Sequence, residues 1–460
     1  MSRSRIRVAG LVLLIMVLAA GAAVGAFFAT RTVRARLASP TPSPTVSTPA
    51  ALREAAASPS PLPSGPAGLP PQPKAVAAAL RPELGNPGLG ARLRAEVVDL
   101  STGRALFSQG AGAPAAPAST AKLLTAAAVL TVHRPGYRIA TTVRSGTPGT
   151  VVLVGGGDPT LTGAAAGTPG AYPQAARISD LAAQLKSAHV QVKRVVVDDS
   201  LFTGPAISPN WAPEDVPSTY ASAIYPVLAD GGRPSPKAAV RSADPDLAAG
   251  HELAAALGAP KLPVSRTDKR STGRILATVH SAPLSTLVEQ MLQESDNVIA
   301  ECLARQVALA RHRPPSFTGS AAAIRQVLSG LGVDAGTGMV DGSGLSASDR
   351  LTVQTLTRLL RVMTVTGSAA LHDVIASLPV AAWSGTLDAR YVSGAARSGA
   401  GLVRAKTGTL TGVSSLAGVV HDRGGRLLGF AFIADRAPST PAADAALDDL
   451  TSALARCVCH

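Results

Sequence analysis

Residues 39–74 are the stretch that most restricts how this chain can fold. They consist mainly of Pro, Ser, Thr and Ala, with runs such as Ser-Pro-Thr-Pro-Ser-Pro. A segment of this composition cannot bury an apolar core, and its prolines favour extended backbone. We therefore predict a linker over residues 31–74 and a folded part that begins near Ala75.

A long uncharged run, residues 8–30, precedes the linker and follows arginines at positions 3, 5 and 7. A run of this length can span a bilayer. Residues 24–26 also offer a small-residue cleavage site, so residues 1–30 are either a retained membrane anchor or a cleaved signal segment. We favour the anchor. Basic residues lie on both sides of the run, so the charge bias alone does not fix its orientation. The chemistry that the later motifs indicate needs the rest of the chain outside the cytoplasm, in the cell envelope or secreted.

The chain has 460 residues and a formal net charge of +14, yet aromatic residues make up only 3% of it. Its arginines are scattered, without basic runs or interleaved aromatics, which argues against a nucleic-acid partner. The positive charge is compatible with a protein that works near an anionic surface. The length allows one large domain or several smaller ones.

Three cysteines lie in a compartment where disulfides persist, at positions 302, 457 and 459. We expect Cys302 to form a disulfide with Cys457 or Cys459, which leaves one thiol free. A metal site at Cys457 and Cys459 is less favoured, because only His460 accompanies them.

Hydrophobic periodicity predicts strands and helices throughout the folded part. The predicted strands are 94–99, 104–107, 141–143, 150–154, 192–197, 402–409, 415–421 and 426–434. The predicted helices are 119–133, 178–189, 244–257, 283–293, 298–310, 352–364 and 442–456. Helices followed by a late group of antiparallel strands indicate an α/β fold whose sheet is completed by the C-terminal part of the chain.

The stretch 118–125 carries the first sign of chemistry, because it places Ser119 and Lys122 three residues apart at the start of an apolar helix. Positions i and i+3 share a helix face, so the hydroxyl and the amine can converge. A serine hydroxyl needs a base to become a nucleophile, and a lysine with a lowered pKa can supply it. Such a pair is usually a solvated surface feature, but here its neighbours are apolar.

Two further motifs follow in order, Ser-Asp-Asn at 295–297 and Lys-Thr-Gly at 406–408. With Ser119 and Lys122 they form the motif set of penicillin-binding proteins and serine β-lactamases. The flanking residues resemble the D-alanyl-D-alanine carboxypeptidase/endopeptidase family of class C low-molecular-mass penicillin-binding proteins, peptidase family S13. The segments that carry this resemblance are 118–126, 155–161, 198–202, 294–297, 341–346, 384–387 and 406–409.

The resemblance implies the α/β transpeptidase fold of penicillin-binding proteins and serine β-lactamases, an antiparallel sheet flanked by helices plus an all-helical half. It implies a catalytic domain made of residues 75–140 and 284–460, with an accessory domain inserted at 141–283. Relatives with the full architecture carry two accessory domains between the first two motifs. Because Ser119 and Ser295 are only 176 residues apart (119 to 295), we expect one small inserted domain here.

The resemblance also implies the catalytic roles. Ser119 would attack the carbonyl of the penultimate D-alanine in a peptidoglycan stem peptide and form an acyl-enzyme, while Lys122 accepts its proton. Ser295 would relay a proton to the leaving amine, and Asn297 would hold Lys122 and the substrate amide. This chemistry requires no metal and no organic cofactor. Penicillins and other β-lactams would acylate the same serine.

The third motif would bind the substrate. Lys406 would supply a fixed positive charge for the terminal carboxylate, and Thr407 and Thr409 would donate hydrogen bonds to it. Gly408 would let the substrate strand approach the sheet edge without a Cβ in the way. The backbone N–H groups of Ser119 and Thr409 would form the oxyanion hole.

Two other functions share parts of this pattern. A serine β-lactamase has the same motif set but must deacylate quickly, and the chain lacks the Glu-x-x-Leu-Asn string that class A enzymes use for that step. A catalytically silent cell-wall-binding module would not need all three motifs intact. A histidine-based serine hydrolase is disfavoured, because His372 and Asp373 lie within a segment that we interpret as helical.

Overall fold

The computed structural model describes residues 69–460. The predicted membrane segment, 1–30, and the predicted linker up to residue 68 lie outside the described residues. The first helix begins at Pro73, just before the predicted end of the linker at residue 74. Between residues 69 and 460 no helix is both long and apolar enough to cross a membrane.

Helices and strands alternate irregularly along the described residues. In chain order they are α1 (Pro73–Leu84), β1 (Arg92–Asp99), β2 (Ala105–Gln109), α2 (Lys122–Val132), β3 (Ala140–Ser145), β4 (Thr150–Val154), α3 (Ile178–Ser187), β5 (Arg194–Asp198), α4 (Pro245–Ala256), β6 (Val264–Thr267), β7 (Ile275–His280), α5 (Leu284–Gln293), α6 (Asn297–Ala310), α7 (Phe317–Gly330), α8 (Val353–Val365), α9 (Ala369–Ala376), β8 (Val403–Leu410), β9 (Val413–His421), β10 (Leu427–Asp435) and α10 (Thr440–Arg456).

The first sheet is antiparallel, with the strand order β2-β1-β10-β9-β8. Strand β1 pairs with β10 along its whole length, so the sheet joins the two ends of the described chain. This confirms the prediction that the C-terminal strands complete the sheet. Side chains alternate across β10: Phe430 and Phe432 enter one apolar core, and Ala431 and Ile433 enter the other.

Helix α2 lies at the centre of the helical half. Residues 122–130 are all buried, and the helix packs against α5, α6, α7 and α9. A helix that is apolar on every side can only be stable inside a core. The first residue of this buried helix is Lys122, so the fold takes an amine into the interior together with the apolar side chains.

The second sheet takes all its strands from residues 140–280, in the order β6-β5-β4-β3-β7. Strands β4, β5 and β6 are parallel, whereas β3 is antiparallel to both of its neighbours. Helices α3 and α4 share an apolar core with this sheet. We propose that this sheet and its helices are the predicted inserted domain, residues 141–283.

The predicted disulfide is wrong. Cys457 is bonded to Cys459, and Cys302 is a free, buried thiol on α6. Cys302 packs with Phe317 and Leu345 in the helical half, whereas Cys457 and Cys459 belong to the core between α10 and the first sheet. The two regions fill different parts of the interior, so Cys302 cannot reach either partner.

Gly418→Ala tests how closely β8 and β9 pack. A Cβ at Gly418 would overlap the carbonyl oxygen of Arg404 and lie 2.6 Å from Ala405 Cα. We expect a loss of about 2 kcal/mol in the free energy of unfolding, because backbone atoms must move. Thermal and urea unfolding measure this loss.

The matched control is Gly85→Ala, where no atom lies within 4 Å of the added Cβ and φ is −83°. We expect a change below about 0.5 kcal/mol there. Equal stability of the two variants would show that the strands separate at no cost.

Candidate active site

The amine of Lys122 brings three distant parts of the chain together. Its Nζ lies 2.8 Å from Ser119 Oγ, 2.6 Å from Asn297 Oδ1 and 2.8 Å from the carbonyl oxygen of Ser343. The side chain is fully buried. The first two predicted motifs therefore meet at one group, and a backbone carbonyl from a third segment joins them.

Ser119 lies in a short 3-10 turn, Ala118–Ala121, that leads directly into α2. Ala118 has a φ of +48°, a backbone conformation that non-glycine residues rarely adopt. The turn is held by the carbonyl of Pro117, which accepts hydrogen bonds from Thr120 Oγ1 (2.6 Å) and Ser415 Oγ (2.7 Å). The strained turn projects Ser119 from the buried helix, and its side of the turn is only partly buried.

The second motif forms the junction between α5 and α6. Asp296 caps α6, because its carboxylate accepts hydrogen bonds from the N–H groups of Val298 and Ile299. This cap fixes Asn297 at the first position of the helix, facing Lys122. Ser295 is partly buried with φ of +56°, and its hydroxyl makes no hydrogen bond within residues 69–460.

The third motif lies on β8, beside the nucleophile turn. Lys406 is fully buried, and among the described residues its Nζ donates hydrogen bonds only to Thr407, at 3.0 Å to the carbonyl and 3.4 Å to Oγ1. Thr407 Oγ1 in turn contacts Thr386 Oγ1 at 2.8 Å. Thr409 is exposed at the edge of the sheet.

Gly408 meets a packing requirement within the chain, in addition to the role expected for it toward the substrate. A Cβ at this position would overlap Ser415 Oγ and lie 2.8 Å from the backbone nitrogen of Ser119. The missing side chain therefore faces the nucleophile turn. Gly408 lets β8 approach Ser119 closely, so that the third motif lies beside the Ser119 turn.

Burial controls the protonation of both lysines. Burial lowers the pKa of Lys122 to about 8, although nearby carboxylates, Asp341 first among them, act in the opposite direction. Burial also lowers the pKa of Lys406 well below its usual range, and the positive charges of Lys122 and Arg390 add to that effect. Lys122 therefore titrates close to neutral pH.

A glycine-rich loop, residues 341–346, supplies the Ser343 carbonyl that accepts a hydrogen bond from Lys122. Asp341 organises the loop: its carboxylate accepts the N–H groups of Ser343, Gly344 and Ser346 at 3.1, 2.7 and 2.9 Å, and the indole N–H of Trp211 at 2.8 Å. The loop packs directly against the turn that carries Ser119, because a Cβ at Gly344 would overlap the carbonyl of Ala118.

Sequence reasoning missed three contributors to this site. The Ser343 carbonyl accepts from Lys122, and the Tyr220 carbonyl lies 3.3 Å from Asn297 Nδ2. Backbone carbonyls carry no residue-type signal, although segment 341–346, which contains Ser343, was noted for its resemblance to the family. The third contributor, Thr386, lies in segment 384–387, whose resemblance to the family was the only available sign. In the described part of the chain no cluster of three or more His, Cys, Asp or Glu residues could hold a metal ion.

Comparison with known proteins assigns the family. The D-Ala-D-Ala carboxypeptidase 3 (S13) family matches residues 76–239 and 234–454. The chain belongs to this family. The predicted family and its enzyme class are thereby confirmed. The S13 match begins within α1 and ends within α10, so it covers nearly all the described residues.

Two S13 relatives are similar over most of their length. The carboxypeptidase DacB of Mycolicibacterium smegmatis is 44% identical over 397 residues, which cover 85% of each chain. The D-alanyl-D-alanine carboxypeptidase of an Actinomadura species is 30% identical, over 79% of this chain and 81% of its own.

A solved structure confirms the fold class. Penicillin-binding protein 4 of Haemophilus influenzae superposes with a TM-score of 0.66 at 20% identity, over 83% of this chain and 97% of that one. The predicted α/β penicillin-binding-protein fold is therefore correct.

Asp341→Asn tests the loop under Lys122. An amide offers one acceptor oxygen where the carboxylate offers two, so its NH2 group must face at least one N–H donor. We expect a loss of about 2–3 kcal/mol in the free energy of unfolding, since buried hydrogen bonds to a charged group are lost. Chemical unfolding measures the loss, and the fluorescence of Trp211 reports the local change.

Asp334→Asn is the matched control, because Asp334 is exposed and accepts a single N–H, from Gly336. Its expected effect is below about 0.5 kcal/mol. An Asp341→Asn protein as stable as this control would mean that the loop does not depend on the carboxylate.

Proposed function

We propose that this protein is a serine DD-peptidase that removes the terminal D-alanine from peptidoglycan stem peptides through an acyl-enzyme on Ser119. The observation that carries the proposal is the buried Lys122 amine, 2.8 Å from Ser119 Oγ and held on its other sides by Asn297 and Ser343. The names of the S13 relatives support the substrate. We further propose that the enzyme acts outside the cytoplasm, where this substrate lies.

The hydrogen-bond partners of Lys122 support its proposed role as the base. Asn297 Oδ1 and the Ser343 carbonyl can only accept hydrogen bonds, whereas the Ser119 hydroxyl can donate or accept. A neutral amine has two hydrogens and one lone pair. The hydrogens satisfy the two acceptors, and the lone pair is left for the proton of Ser119. The neutral lysine thus has no unpaired group, and the ammonium form is equally satisfied because it donates its third hydrogen to Ser119 Oγ.

The reaction follows from this arrangement. Ser119 Oγ attacks the carbonyl carbon of the penultimate D-alanine as its proton passes to Lys122, and the N–H groups of Ser119 and Thr409 stabilise the oxyanion. The C–N bond then breaks, and the leaving D-alanine amine receives a proton through Ser295. Water attacks the ester, returns the proton to Ser119 and releases the shortened peptide.

The third motif would bind the terminal carboxylate. The hydroxyl groups of Thr407 and Thr409 donate hydrogen bonds to it, and Lys406 supplies charge. Because burial lowers the pKa of Lys406, we modify the expectation of a fixed charge. A bound carboxylate raises that pKa, so the ammonium forms together with the complex.

Penicillins and other β-lactams would acylate Ser119. The resulting ester would be hydrolysed slowly, since the sequence lacks the loop with which class A β-lactamases activate a deacylating water. Cleavage of D-alanine cross-links, an endopeptidase reaction, would use the same residues on a branched substrate. A serine β-lactamase is the second function that the motif set allows. Rapid turnover of a chromogenic cephalosporin would favour it over the peptidase.

Ser119→Ala tests the proposed nucleophile. The wild-type protein should release one alanine from a pentapeptide stem, and the variant should lose this activity by more than about 1,000-fold, because it lacks the attacking oxygen. Mass spectrometry of the products from a defined muropeptide measures the loss. Labelling by a fluorescent penicillin should disappear in parallel.

Ser346→Ala is the control, because this serine lies in the supporting loop and its hydroxyl bonds the Asn210 carbonyl, away from the amine. It should retain activity within about fivefold of wild type. Release of alanine by the Ser119→Ala protein would contradict the assignment.

The pH dependence tests the proposed base. The pKa of Lys122 is lowered to about 8, so below that pH the amine is mostly protonated and cannot accept the Ser119 proton. The acylation rate constant for a fluorescent penicillin should therefore rise with pH, roughly tenfold between pH 6 and 7, and level off above pH 8. Stopped-flow measurements from pH 6 to 9 record this rise in the acylation rate constant.

Asn297→Asp provides a matched variant. A carboxylate 2.6 Å from the amine favours the ammonium and so raises the pKa of Lys122. The rise in the acylation rate constant should therefore occur at higher pH in this variant. A rate that does not change between pH 6 and 9 in the wild-type protein would exclude Lys122 as the base.

A further inference from the structure

One carboxylate of the second motif, Asp296, is shared between two parts of the chain. Its Oδ1 accepts two N–H groups from the first turn of α6, at 2.8 and 3.1 Å. Its Oδ2 accepts the phenol of Tyr172 at 2.7 Å and the guanidinium of Arg241 at 2.8 Å. One oxygen therefore holds the helix that carries Asn297, and the other is held by the predicted inserted domain.

A second arginine completes the contact. Arg233 donates to the Tyr172 hydroxyl at 2.7 Å, its guanidinium lies 5.5 Å from the centre of the Tyr172 ring, and its other terminal nitrogen is 3.7 Å from Asp296 Oδ2. Arg233 also donates to the carbonyl of Asp230 at 3.0 Å, and Arg241 donates to the carbonyl of Gly231. Both guanidinium groups are thus fixed by backbone as well as by Asp296.

The segments that supply these groups are themselves anchored. Asp230 is fully buried, and its carboxylate accepts Thr162 Oγ1 at 3.0 Å and the N–H groups of Gly163 and Ala171 at 3.2 and 2.8 Å. These bonds tie the backbone that follows Asp230 to the loop that ends at Tyr172. The donors to Asp296 therefore come from a rigid unit, and they can transmit the position of that unit.

Asp296 cannot remain in place without these donors. Only 2% of its side chain and 2% of that of Arg241 are exposed. Burial alone would raise the pKa of Asp296, but Arg241 and Arg233 outweigh it and hold the pKa well below its usual range. The titratable and charged groups that face Asp296 are Arg241, Arg233, Tyr172, Lys122 and Cys302.

We propose that Tyr172, Arg233 and Arg241 are positioning residues for the peptidase reaction: through Asp296 they set where Ser295 and Asn297 stand relative to the nucleophile. The inserted domain makes a second contact of the same kind, since the Tyr220 carbonyl lies 3.3 Å from Asn297 Nδ2. The inserted domain thus completes the active site. This inference rests on the proposed function, because acylation of Ser119 is its readout.

Arg241→Met in the full-length protein is the principal test. Methionine keeps most of the buried volume and removes the charge and both hydrogen bonds. We expect the rate constant for acylation by a fluorescent penicillin to fall at least tenfold, because misplacement of catalytic groups by ~1 Å costs about 100-fold. Asp296 also loses a cation, so its pKa rises, and the ratio of the variant rate to the wild-type rate should fall further as the pH falls from 7 to 5.

Arg266→Met is the matched control. Arg266 lies in the same inserted domain and pairs with another buried carboxylate, Asp246, at 2.8 Å, but it has no contact with Asp296 in the described residues. We expect its acylation rate to stay within about twofold of wild type, even if its melting temperature falls as much as that of Arg241→Met. Arg241→Lys, which keeps the charge, should recover part of the rate.

Tyr172→Phe covers the case in which Arg241→Met does not fold, because it removes one hydroxyl and leaves the ring. It should slow acylation about threefold or more and leave the fold intact. Rates for Arg241→Met, or failing that Tyr172→Phe, equal to that of Arg266→Met would overturn the inference. A wild-type protein that is not acylated at all would overturn the proposed function first.

Discussion

The burial of one amine determines how the rest of this structure is arranged. Lys122 cannot leave water unless each of its hydrogens and its lone pair finds a partner, because an unpaired buried polar group is costly. The partners come from Ser119, Asn297 and Ser343, which are far apart in sequence. The junction of α5 and α6 and the loop at 341–346 must therefore both reach the start of α2. The apolar surroundings that impose this requirement also lower the pKa of the lysine.

The sequence predicted most of the first sheet and the central helices, because their signals are local. Strands β8 to β10 have clear turns and apolar residues, and α2 is apolar apart from Lys122, Thr125 and Thr131. Strands β6 and β7 were not predicted: they are short edge strands with exposed polar residues such as Arg266, and pairing with neighbours stabilises them more than their own pattern does. Helix α7 was missed because two glycines and two serines weaken its helical propensity.

Prediction of the site was limited in a different way. The side chains of Ser119, Lys122 and Asn297 could be identified from motif spacing, and they do meet. The carbonyls of Ser343 and Tyr220 could not, since any residue supplies the same atoms. The close approach of Gly408 to Ser119 could not be predicted either, because it depends on tertiary packing. The Cys457–Cys459 bond was missed for a similar reason, since cysteine spacing does not indicate which residues share a core.

The two buried lysines differ in the charges that surround them, and this difference supports the two roles proposed for them. Lys122 is close to four carboxyl groups, those of Asp341, Asp296, Glu301 and Asp349, which offset part of the effect of burial and leave its pKa near 8. Lys406 has no such compensation, and Lys122 and Arg390 repel its charge. A base must exchange its proton near neutral pH, and Lys122 meets that condition. A lysine that binds an anion gains most binding energy when the anion supplies the negative charge that its surroundings lack. Lys406 meets this second condition. The carboxylates near Lys122 and their absence among the charges that act on Lys406 therefore support the two proposed roles, proton transfer for Lys122 and substrate binding for Lys406.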